Sequence, residues 1–390
     1  MTGIAVLIIG SGHLASRIRR LAGANGYEVI HRSHEVFDRT EGVEARSDAI
    51  ARALADIDLG ALAMVFLVDD SDERNLELLI ALISIDRRVS IVASLFNENI
   101  APHLQAAHPN IQILNPAKIA APAFIQALHT PLVRTLRYAP AAMPEEPVGA
   151  HADSLIKRLI ASFAGLTMAA ITYFHFAEHL SWLNALYFVI VTVATVGYGD
   201  ITLLNSSVIS KLAGIGLILS STAFIWMIFS LTVDNIIKRR AQLSLGRKKY
   251  ALRGHVILCG LGRLGYFIAE GLVQQGERVI IIEKNKHLPT IEHFRALGAD
   301  VYIGDARLPR VLQDVGVARA KALYSVTDND FANIEIGLNA RSFEPTLRLI
   351  LRIFDESMAL KLKENLDISL AFSMSAVADE RFISAVPQEG

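Results

Sequence analysis

VTVATVGYGD occupies residues 191–200, inside a long apolar part of the chain. Glycine takes backbone angles that a side chain would obstruct, so Gly197 and Gly199 let neighbouring carbonyls turn toward one axis. The Thr195 hydroxyl and successive main-chain carbonyls from several chains could then supply the ring of oxygens that a dehydrated cation needs. One chain does not close such a ring, so several copies are expected to assemble around it.

The composition indicates a protein that is part membrane and part soluble. Hydrophobic residues make up 52% of the 390 residues and the mean hydropathy is +0.38, yet charged residues still reach 20%. The formal net charge of −1 gives no sign of a nucleic-acid partner. The single cysteine, Cys259, excludes an intrachain disulfide and fits a reducing compartment. Residues 4–9 run straight into a glycine turn, so no cleavable targeting segment is expected.

Three apolar stretches without Lys, Arg, Asp or Glu lie at 159–177, 179–199 and 212–233. The first and third are long enough to cross a bilayer, because a helix rises about 1.5 Å per residue against a core of roughly 30 Å. Basic residues flank both outer ends of this region, and the positive-inside rule places both in the cytoplasm. The middle stretch is therefore predicted to be re-entrant, with a helix over 182–194 that returns through residues 195–200. The prediction is a multi-pass, two-span segment in a lipid bilayer, with both termini cytoplasmic.

The pentapeptide at 195–199, with residues 191–194 before it, resembles the selectivity filter of two-transmembrane potassium channels. The resemblance implies a homotetramer in a prokaryotic plasma (inner) membrane, with potassium ions bound at residues 195–198 and Asp200 holding the outer end of the filter. The alternative is a Gly/Tyr turn between two apolar helices, which leaves the intact pentapeptide unexplained. The predicted filter residues are Thr195, Val196, Gly197, Tyr198, Gly199 and Asp200.

The expected inner helix departs from calcium-gated relatives, which carry a hinge glycine in its middle. This chain has Ser220-Ser221-Thr222 at that place, and hydroxyls that bond back to main-chain carbonyls can bend a helix. Glycines nearer the filter are the other possibility. No arginine ladder precedes the filter, so a voltage sensor of the usual kind is not expected. The hinge candidates are Gly214, Gly216, Ser220 and Ser221.

Two segments outside the membrane region repeat one pattern at an offset of 258 residues. FLVDDSD at 66–72 parallels YSVTDND at 324–330, and SLFNE at 94–98 parallels RIFDE at 352–356. Each copy starts with a strand and a glycine turn, GSGHLA at 10–15 and GLGRLG at 260–265, followed by a helix and a second strand. That order predicts an α/β Rossmann-like fold for both copies.

Both copies resemble the regulator-of-potassium-conductance (RCK) domain, also called TrkA-N. The resemblance predicts an N-terminal lobe at 1–130, a linker at 131–154, a two-span potassium pore domain at 155–236, a linker at 237–253 and a C-terminal lobe at 254–390. Four chains would bring eight lobes to a cytoplasmic gating ring. The predicted fold class is a membrane α-helical pore domain, with two transmembrane helices and a re-entrant pore helix, joined to two α/β Rossmann-like domains.

The second copy is predicted to bind a nucleotide, either NAD(H) or an adenine nucleotide. In a Rossmann unit the amides of the glycine turn take the phosphates, and a carboxylate about 20 residues later accepts the ribose hydroxyls. The first copy has His31-Arg32 where that carboxylate should be, so it is expected to be structural or to bind another anion. The predicted nucleotide-site residues are Gly260, Gly262, Arg263, Gly265, Glu283 and Asp305.

Calcium is an alternative ligand, because Asp69, Asp70 and Asp72 cluster hard oxygen atoms. The strand that carries glutamates in calcium-gated relatives has Arg352 and Phe354 here, which disfavours that alternative. These aspartates are instead expected to cap the helix that begins near residue 75, and residues 328 and 330 to cap its counterpart.

The prediction for the whole chain is a nucleotide-gated potassium channel subunit and not an enzyme. An NAD-dependent membrane oxidoreductase would explain the glycine turns. However, the chain lacks a set of residues suited to hydride transfer beside the turn, and this alternative leaves the filter unexplained. A regulatory subunit of a separate transporter would not carry its own pore.

Overall fold

A computed structural model of the chain describes residues 4–33, 50, 52, 54–131, 150–366 and 370–386. The chain divides into two compact units. Residues 143–244 form the helical unit, and residues 1–142 together with 245–390 form the α/β unit. Most of the linker expected at 131–154 lies outside the described residues.

The first part of the α/β unit is a five-stranded parallel sheet of order β2-β1-β3-β4-β5. Its strands are short apolar runs, most of them buried on both faces, as parallel sheets covered by helices require. Its elements are β1 (Ala5–Ile9), α1 (His13–Ala24), β2 (Glu28–Arg32), a 3-10 turn (Leu59–Ala61), β3 (Leu62–Leu67), α2 (Asp72–Ile85), β4 (Ile91–Ser94), α3 (Ala101–Ala107), β5 (Ile111–Leu114) and α4 (Pro116–Gln126).

The helical unit follows, with α5 (Ala150–Ala177), α6 (Trp182–Val193) and α7 (Val208–Ser244). Within the described chain, two helical segments are long and apolar enough to cross a membrane, Lys157–Ala177 and Val208–Ser244. Phe174 and Leu217 pack with the buried face of α6, at Ala185 and Val189. The helix predicted at 182–194 is present, and α7 continues to Ser244, so residues 237–244 of the expected second linker are helical.

The second part of the α/β unit is a six-stranded parallel sheet of order β11-β10-β9-β6-β7-β8. This is the doubly wound order, in which the crevice lies between β6 and β9, where the strand order reverses. Its elements are β6 (Val256–Cys259), α8 (Arg263–Gln274), β7 (Val279–Glu283), α9 (Thr290–Ala296), β8 (Asp300–Ile303), α10 (Pro309–Asp314), a 3-10 turn (Val317–Arg319), β9 (Ala322–Ser325), α11 (Asp330–Phe343), β10 (Arg348–Arg352), α12 (Glu356–Leu366), β11 (Leu370–Phe372) and α13 (Met374–Ile383).

The two sheets form one compact unit because each contributes its last helix to the other. Helix α4 packs on α8, so closely that a Cβ added at Gly271 would lie 2.3 Å from Ile125 Cδ1. Helix α13 packs on α1 in return, and its Phe382 is fully buried in the core of the first sheet. An ion pair of 2.6 Å between Arg17 and the buried Asp379 joins the same two helices. The Rossmann-like sheets and the two long apolar helices that the sequence predicts are therefore confirmed.

Candidate functional site

The pentapeptide follows directly from the end of α6 and has an unusual backbone. Thr195, Gly197 and Gly199 have positive φ angles of 57°, 57° and 77°. The amides of Val196 and Gly197 both donate to the Val191 carbonyl, at 3.0 and 3.4 Å. Two of the three left-handed positions are glycines, while Thr195 adopts an angle that costs a branched residue energy. The backbone therefore turns at Thr195 and at the two glycines of the pentapeptide.

Asp200 connects the end of this segment to the preceding helix. Its carboxylate interacts electrostatically with the Tyr187 hydroxyl on α6. Val196 and Tyr198 are 50% and 71% exposed in the single chain. Side chains exposed in this way leave apolar area available for contact with other molecules.

The hinge candidates lie on an uninterrupted helix. The Ser220 hydroxyl donates to the Gly216 carbonyl at 2.6 Å, and the Ser221 hydroxyl donates to the Ile218 carbonyl at 3.1 Å. These are the back-bonds expected of hydroxyls inside a helix, yet α7 runs without a break from Val208 to Ser244. A Cβ at Gly214 would lie 2.8 Å from Leu203 Cδ1, so close packing explains this glycine.

Three glycines build the second glycine turn, and each has a different role. Gly260 has a φ of +98° and backs onto Thr327, whose Cα lies 3.2 Å from a Cβ placed there. A Cβ at Gly265 would lie 2.1 Å from the Gly260 carbonyl oxygen, so only glycine lets α8 approach the strand. Gly262 faces open space, with nothing within 4 Å of its Cβ position. The turn therefore leaves room for a ligand at its middle glycine.

Glu283 lies at the end of β7 and supports this turn. Its Oε2 accepts from the Leu261 amide at 2.7 Å and its Oε1 from the Asn285 amide at 2.8 Å. A carboxylate oxygen has two lone pairs, so each oxygen retains acceptor capacity.

Asp305 follows β8 at the same edge of the sheet. It is paired with Arg307, whose Nη2 lies 2.6 Å from Asp305 Oδ2, and Lys284 is 3.5 Å from the same oxygen. The hydrogen bonds from Arg307 lower the pKa of Asp305 to about 2. Both positive side chains therefore stabilise the ionised form of Asp305.

A pocket of about 670 Å³ opens between the carboxyl ends of β6, β7 and β9, a size typical of small-molecule sites. All the predicted nucleotide-site residues line it except Gly265, which supports the turn from behind. Several lining residues were not predicted for this site, and two of them come from the first copy. They include Asp70, Phe96, Thr327, Asp328, Arg352 and Phe354.

Two arginines enter the pocket without a carboxylate partner within the described chain. Arg263 donates from Nη1 to the Asp70 carbonyl at 2.8 Å, and its guanidinium lies 4.0 Å from the centre of the Phe96 ring. The Arg352 guanidinium lies 4.2 Å from the centre of the Phe354 ring, and no described atom accepts from its Nε. Burial lowers the pKa of Arg352, although nearby aspartates oppose that shift. These two guanidinium groups therefore offer positive charge and unused hydrogen-bond donors, which suits an anionic group of a ligand.

The glycine turn of the first copy is closed by the chain itself. The Asp70 carboxylate packs against Gly12, because a Cβ there would lie 2.6 and 2.7 Å from its two oxygens. His31, which replaces the ribose-binding carboxylate, hydrogen-bonds through Nε2 to the Gly10 carbonyl at 2.9 Å. Ala15 stands where the second copy has its third glycine. The space beside the middle glycine, open in the second copy, is filled here.

The aspartates considered for calcium are engaged in local contacts. Asp69 is 4% exposed and accepts from the Ser71 amide at 3.1 Å. Asp72 accepts from the Phe96 amide at 3.0 Å. Among the described residues no group of three His, Cys, Asp or Glu side chains could hold a metal ion.

The expectation that aspartates cap α2 and α11 is wrong. The capping side chains are Ser71 and Asn329, which accept from the Arg74 amide at 3.4 Å and the Ala332 amide at 2.9 Å. Asp330 accepts instead from the Phe354 amide, as its counterpart in the first copy does from Phe96. An aspartate in the first helical turn can reach the next strand-to-helix loop, which sequence spacing does not reveal.

Two family descriptions match parts of this chain. Residues 160–238 match the ion channel family, and residues 256–373 match the TrkA-N domain. These ranges cover most of the helical unit and most of the second sheet.

Curated relatives include potassium channel proteins. Probable potassium channel protein 2 of Methanocaldococcus jannaschii is 27% identical over 192 residues, which cover 48% of this chain and 55% of the relative. Voltage-gated potassium channel Kch of Escherichia coli K12 is 30% identical over 187 residues, covering 47% of this chain and 44% of the relative. The chain thus spans about half the length of these relatives.

Solved structures share the fold. The structure described as the GsuK RCK domain has a TM-score of 0.54 and 16% identity, covering 99% of this chain and 77% of that chain. The one described as the GsuK channel bound to NAD has a TM-score of 0.53 and 15% identity, covering 99% of this chain and 64% of that chain. At such identities the likeness concerns the fold alone. Residues 160–238 are thus similar to the ion channel family, and residues 256–373 are similar to the TrkA-N domain.

Proposed function

We propose that the chain is a subunit of a homotetrameric, potassium-selective channel of the plasma (inner) membrane, opened or closed by a nucleotide at the second glycine turn. The main support for a channel is the intact pentapeptide at 195–199. It follows directly after a short apolar helix, which lies in the chain between two helices long enough to span a membrane. Both ends of the chain are cytoplasmic in this proposal, and α6 is a re-entrant pore helix.

The geometry of the segment supports a filter. The carboxyl end of α6 precedes the filter, and a helix carries partial negative charge at that end, which favours a cation nearby. The left-handed angles at Thr195, Gly197 and Gly199 turn the backbone where a filter needs its carbonyls redirected. The electrostatic interaction between Tyr187 and Asp200 links the outer end to the same helix. Potassium ions would bind to the Thr195 hydroxyl and to the carbonyls of residues 195–198 contributed by four chains.

The charges in the pocket support a nucleotide. Glu283 retains acceptor capacity for ribose hydroxyls, and the guanidinium groups of Arg263 and Arg352 have donors available for phosphates. Open space at Gly262 allows a phosphate to approach the amides that begin α8. NAD(H) and the adenine nucleotides share the adenosine and phosphate groups that this chemistry recognises. Nucleotide occupancy would bias the α/β units of the four chains between two arrangements, which the inner helices convert into gating.

The test is potassium flux from liposomes that contain the purified full chain. NAD, NADH, ATP, ADP and AMP are added in turn, with Glu283→Ala as the site variant, His31→Ala as its matched control in the first copy and Gly199→Ala as the filter variant. We expect potassium-selective flux that one nucleotide changes in the wild type and in His31→Ala but not in Glu283→Ala, and no selective flux through Gly199→Ala.

Other outcomes separate the two parts of the proposal. Selective flux that ignores every nucleotide would retain the channel and remove the nucleotide switch. Flux that does not distinguish potassium from sodium, or that persists in the filter variant, would remove the channel assignment.

A further inference from the structure

The pocket of the second copy is completed by two residues of the first copy. Phe96 follows β4 and Asp70 follows β3 in the first sheet, yet both line the pocket beside the second glycine turn. We propose that the Phe96 ring and the Asp70 main-chain carbonyl position Arg263 to bind the phosphates of the nucleotide, so that the first copy forms part of the ligand site of the second. This inference rests on the nucleotide site proposed above.

Two groups of the first copy contact the Arg263 guanidinium in the pocket. Phe96 lies under the guanidinium at 4.0 Å, and the Asp70 carbonyl accepts from Nη1 at 2.8 Å. A guanidinium has five N–H donors in a planar fork, so these two contacts fix its plane and leave most donors available. Arg263 is the first residue of α8, beside the turn where a phosphate would bind. A planar cation held there is suited to paired hydrogen bonds with phosphate oxygens.

The support for Arg263 is itself held firmly. The Phe96 amide donates to the Asp72 carboxylate at 3.0 Å, and its carbonyl accepts from Asn115 Nδ2 at 3.1 Å. The Asp70 carboxylate lies beside Gly12 in the first turn. The side chain of Asp70 therefore closes one glycine turn while its carbonyl serves the other.

The equivalent positions in the first copy do not carry guanidinium groups. His13 occupies the position equivalent to Arg263 and stacks on Phe354 at 5.3 Å, the counterpart of the stacking on Phe96. Ser94 occupies the position equivalent to Arg352. The aromatic support is present in both directions, whereas the two guanidinium groups occur only in the second copy. The first copy thus acts as a positioning partner in place of a second site.

The contacts of Arg263 with the first copy are thermodynamically linked to nucleotide binding. If Phe96 and Asp70 position a phosphate-binding group, a bound nucleotide strengthens their contacts with Arg263, and loss of these contacts weakens nucleotide affinity by the same factor. Phe96 is then a positioning residue for the ligand and not only a packing residue.

The test compares ADP with adenosine, measured by calorimetry on the full chain in lipid nanodiscs. ADP is the part that NAD shares with the adenine nucleotides, and adenosine lacks the phosphates. The variants are Phe96→Ala, Phe96→Tyr, Arg263→Ala and the double variant Phe96→Ala/Arg263→Ala. Ile125→Ala is the matched control, because it removes packing between the same two sheets at Gly271, outside the pocket lining.

We expect Phe96→Ala to weaken ADP roughly 3- to 30-fold, the range that a cation–π contact supports. Adenosine affinity should change less than about twofold, Phe96→Tyr should restore ADP affinity, and Ile125→Ala should leave the ratio of the two affinities unchanged. The double variant should bind ADP no more weakly than Arg263→Ala alone.

Unchanged ADP affinity in Phe96→Ala would overturn the inference, as would equal losses for ADP and adenosine or an equal loss in Ile125→Ala. If Arg263→Ala and Glu283→Ala both bound ADP like the wild type, or the wild type bound neither ADP nor NAD, the nucleotide site itself would fail.

Discussion

Both glycine turns connect a strand to a helix, but different side chains surround them. In the first copy the Asp70 carboxylate occupies the space beside Gly12, whereas the equivalent space beside Gly262 is open. His31 binds a carbonyl of its turn, whereas Glu283 binds an amide of its turn and brings a negative charge. The comparison teaches that the glycines specify how the chain turns, while side chains from neighbouring strands decide whether anything can bind there.

Features that both copies retain belong to the fold. Asn75 and Asn333 are fully buried, and each amide joins the end of one strand to the next, through the Ser94 carbonyl at 2.8 Å and the Arg352 carbonyl at 2.9 Å. Each therefore satisfies main-chain groups that would otherwise be buried without partners. Features that differ, above all Arg263 and Glu283, belong to the proposed ligand site.

The largest effect is expected for a substitution at the third glycine of the second turn. In Gly265→Ala the new Cβ would lie 2.1 Å from the Gly260 carbonyl oxygen, so the turn must move. We expect a loss of about 3 kcal/mol or more in the free energy of unfolding. The matched change, Ala15→Gly, should cost only about 1 kcal/mol, the ordinary cost of glycine in a helix. Thermal and denaturant unfolding of both variants checks this, and equal losses would contradict the proposed difference between the turns.

The next prediction concerns the carboxylate that the first copy lacks. Glu283→Ala removes a charged acceptor for ribose hydroxyls, and hydrogen bonds to charged groups contribute about 1.5–3 kcal/mol, so we expect ADP affinity to fall roughly 10- to 100-fold. Glu283→Gln should lose less, because an amide oxygen still accepts. Binding titrations check the series, with His31→Ala expected to match the wild type. A loss in His31→Ala as large as that in Glu283→Ala would show that neither residue acts on the ligand directly.

A smaller effect should follow the pH dependence of Asp305. The pKa of Asp305 is lowered to about 2 in the folded protein, chiefly by hydrogen bonds from Arg307, so its stabilisation is present above about pH 4 and is lost as the pH falls toward 2. Arg307→Gln should therefore lower stability at pH 7, by about 1 kcal/mol or less because this pair is partly exposed. Melting temperatures of wild type and variant should converge between pH 4 and pH 2. A constant difference at all pH values would contradict this origin.

The smallest effect is expected for a substitution that removes the side chain beside the first turn. Asp70→Ala removes the carboxylate beside Gly12 and leaves the main-chain carbonyl that holds Arg263. We expect stability to change by no more than about 0.5 kcal/mol, because the side chain is exposed. ADP should still bind once per chain, because His31 remains where a carboxylate is needed. A stoichiometry of two ADP per chain in calorimetry would show that the Asp70 carboxylate alone closes the first site.

Local patterns in the sequence predicted much of the architecture. The helix expected at 182–194 occurs as Trp182–Val193, and both glycine turns join a strand to a helix as predicted. Such features depend on neighbouring residues, since apolar periodicity and glycine angles act over a few positions. The caps of α2 and α11 were predicted incorrectly because Asp72 and Asp330 have partners 24 residues away.

The sequence by itself determined the pentapeptide, the apolar helices around it, the duplicated α/β pattern and the position of Glu283. Only the tertiary structure decided that Asp70 fills the first turn and that Phe96 and Arg352 reach the second. Arg263 and Asp70 are 193 residues apart, and they meet because the two copies exchange helices α4 and α13. Spacing along the chain carries information about local geometry, whereas the contents of a pocket depend on which strand ends the packing of sheets brings together.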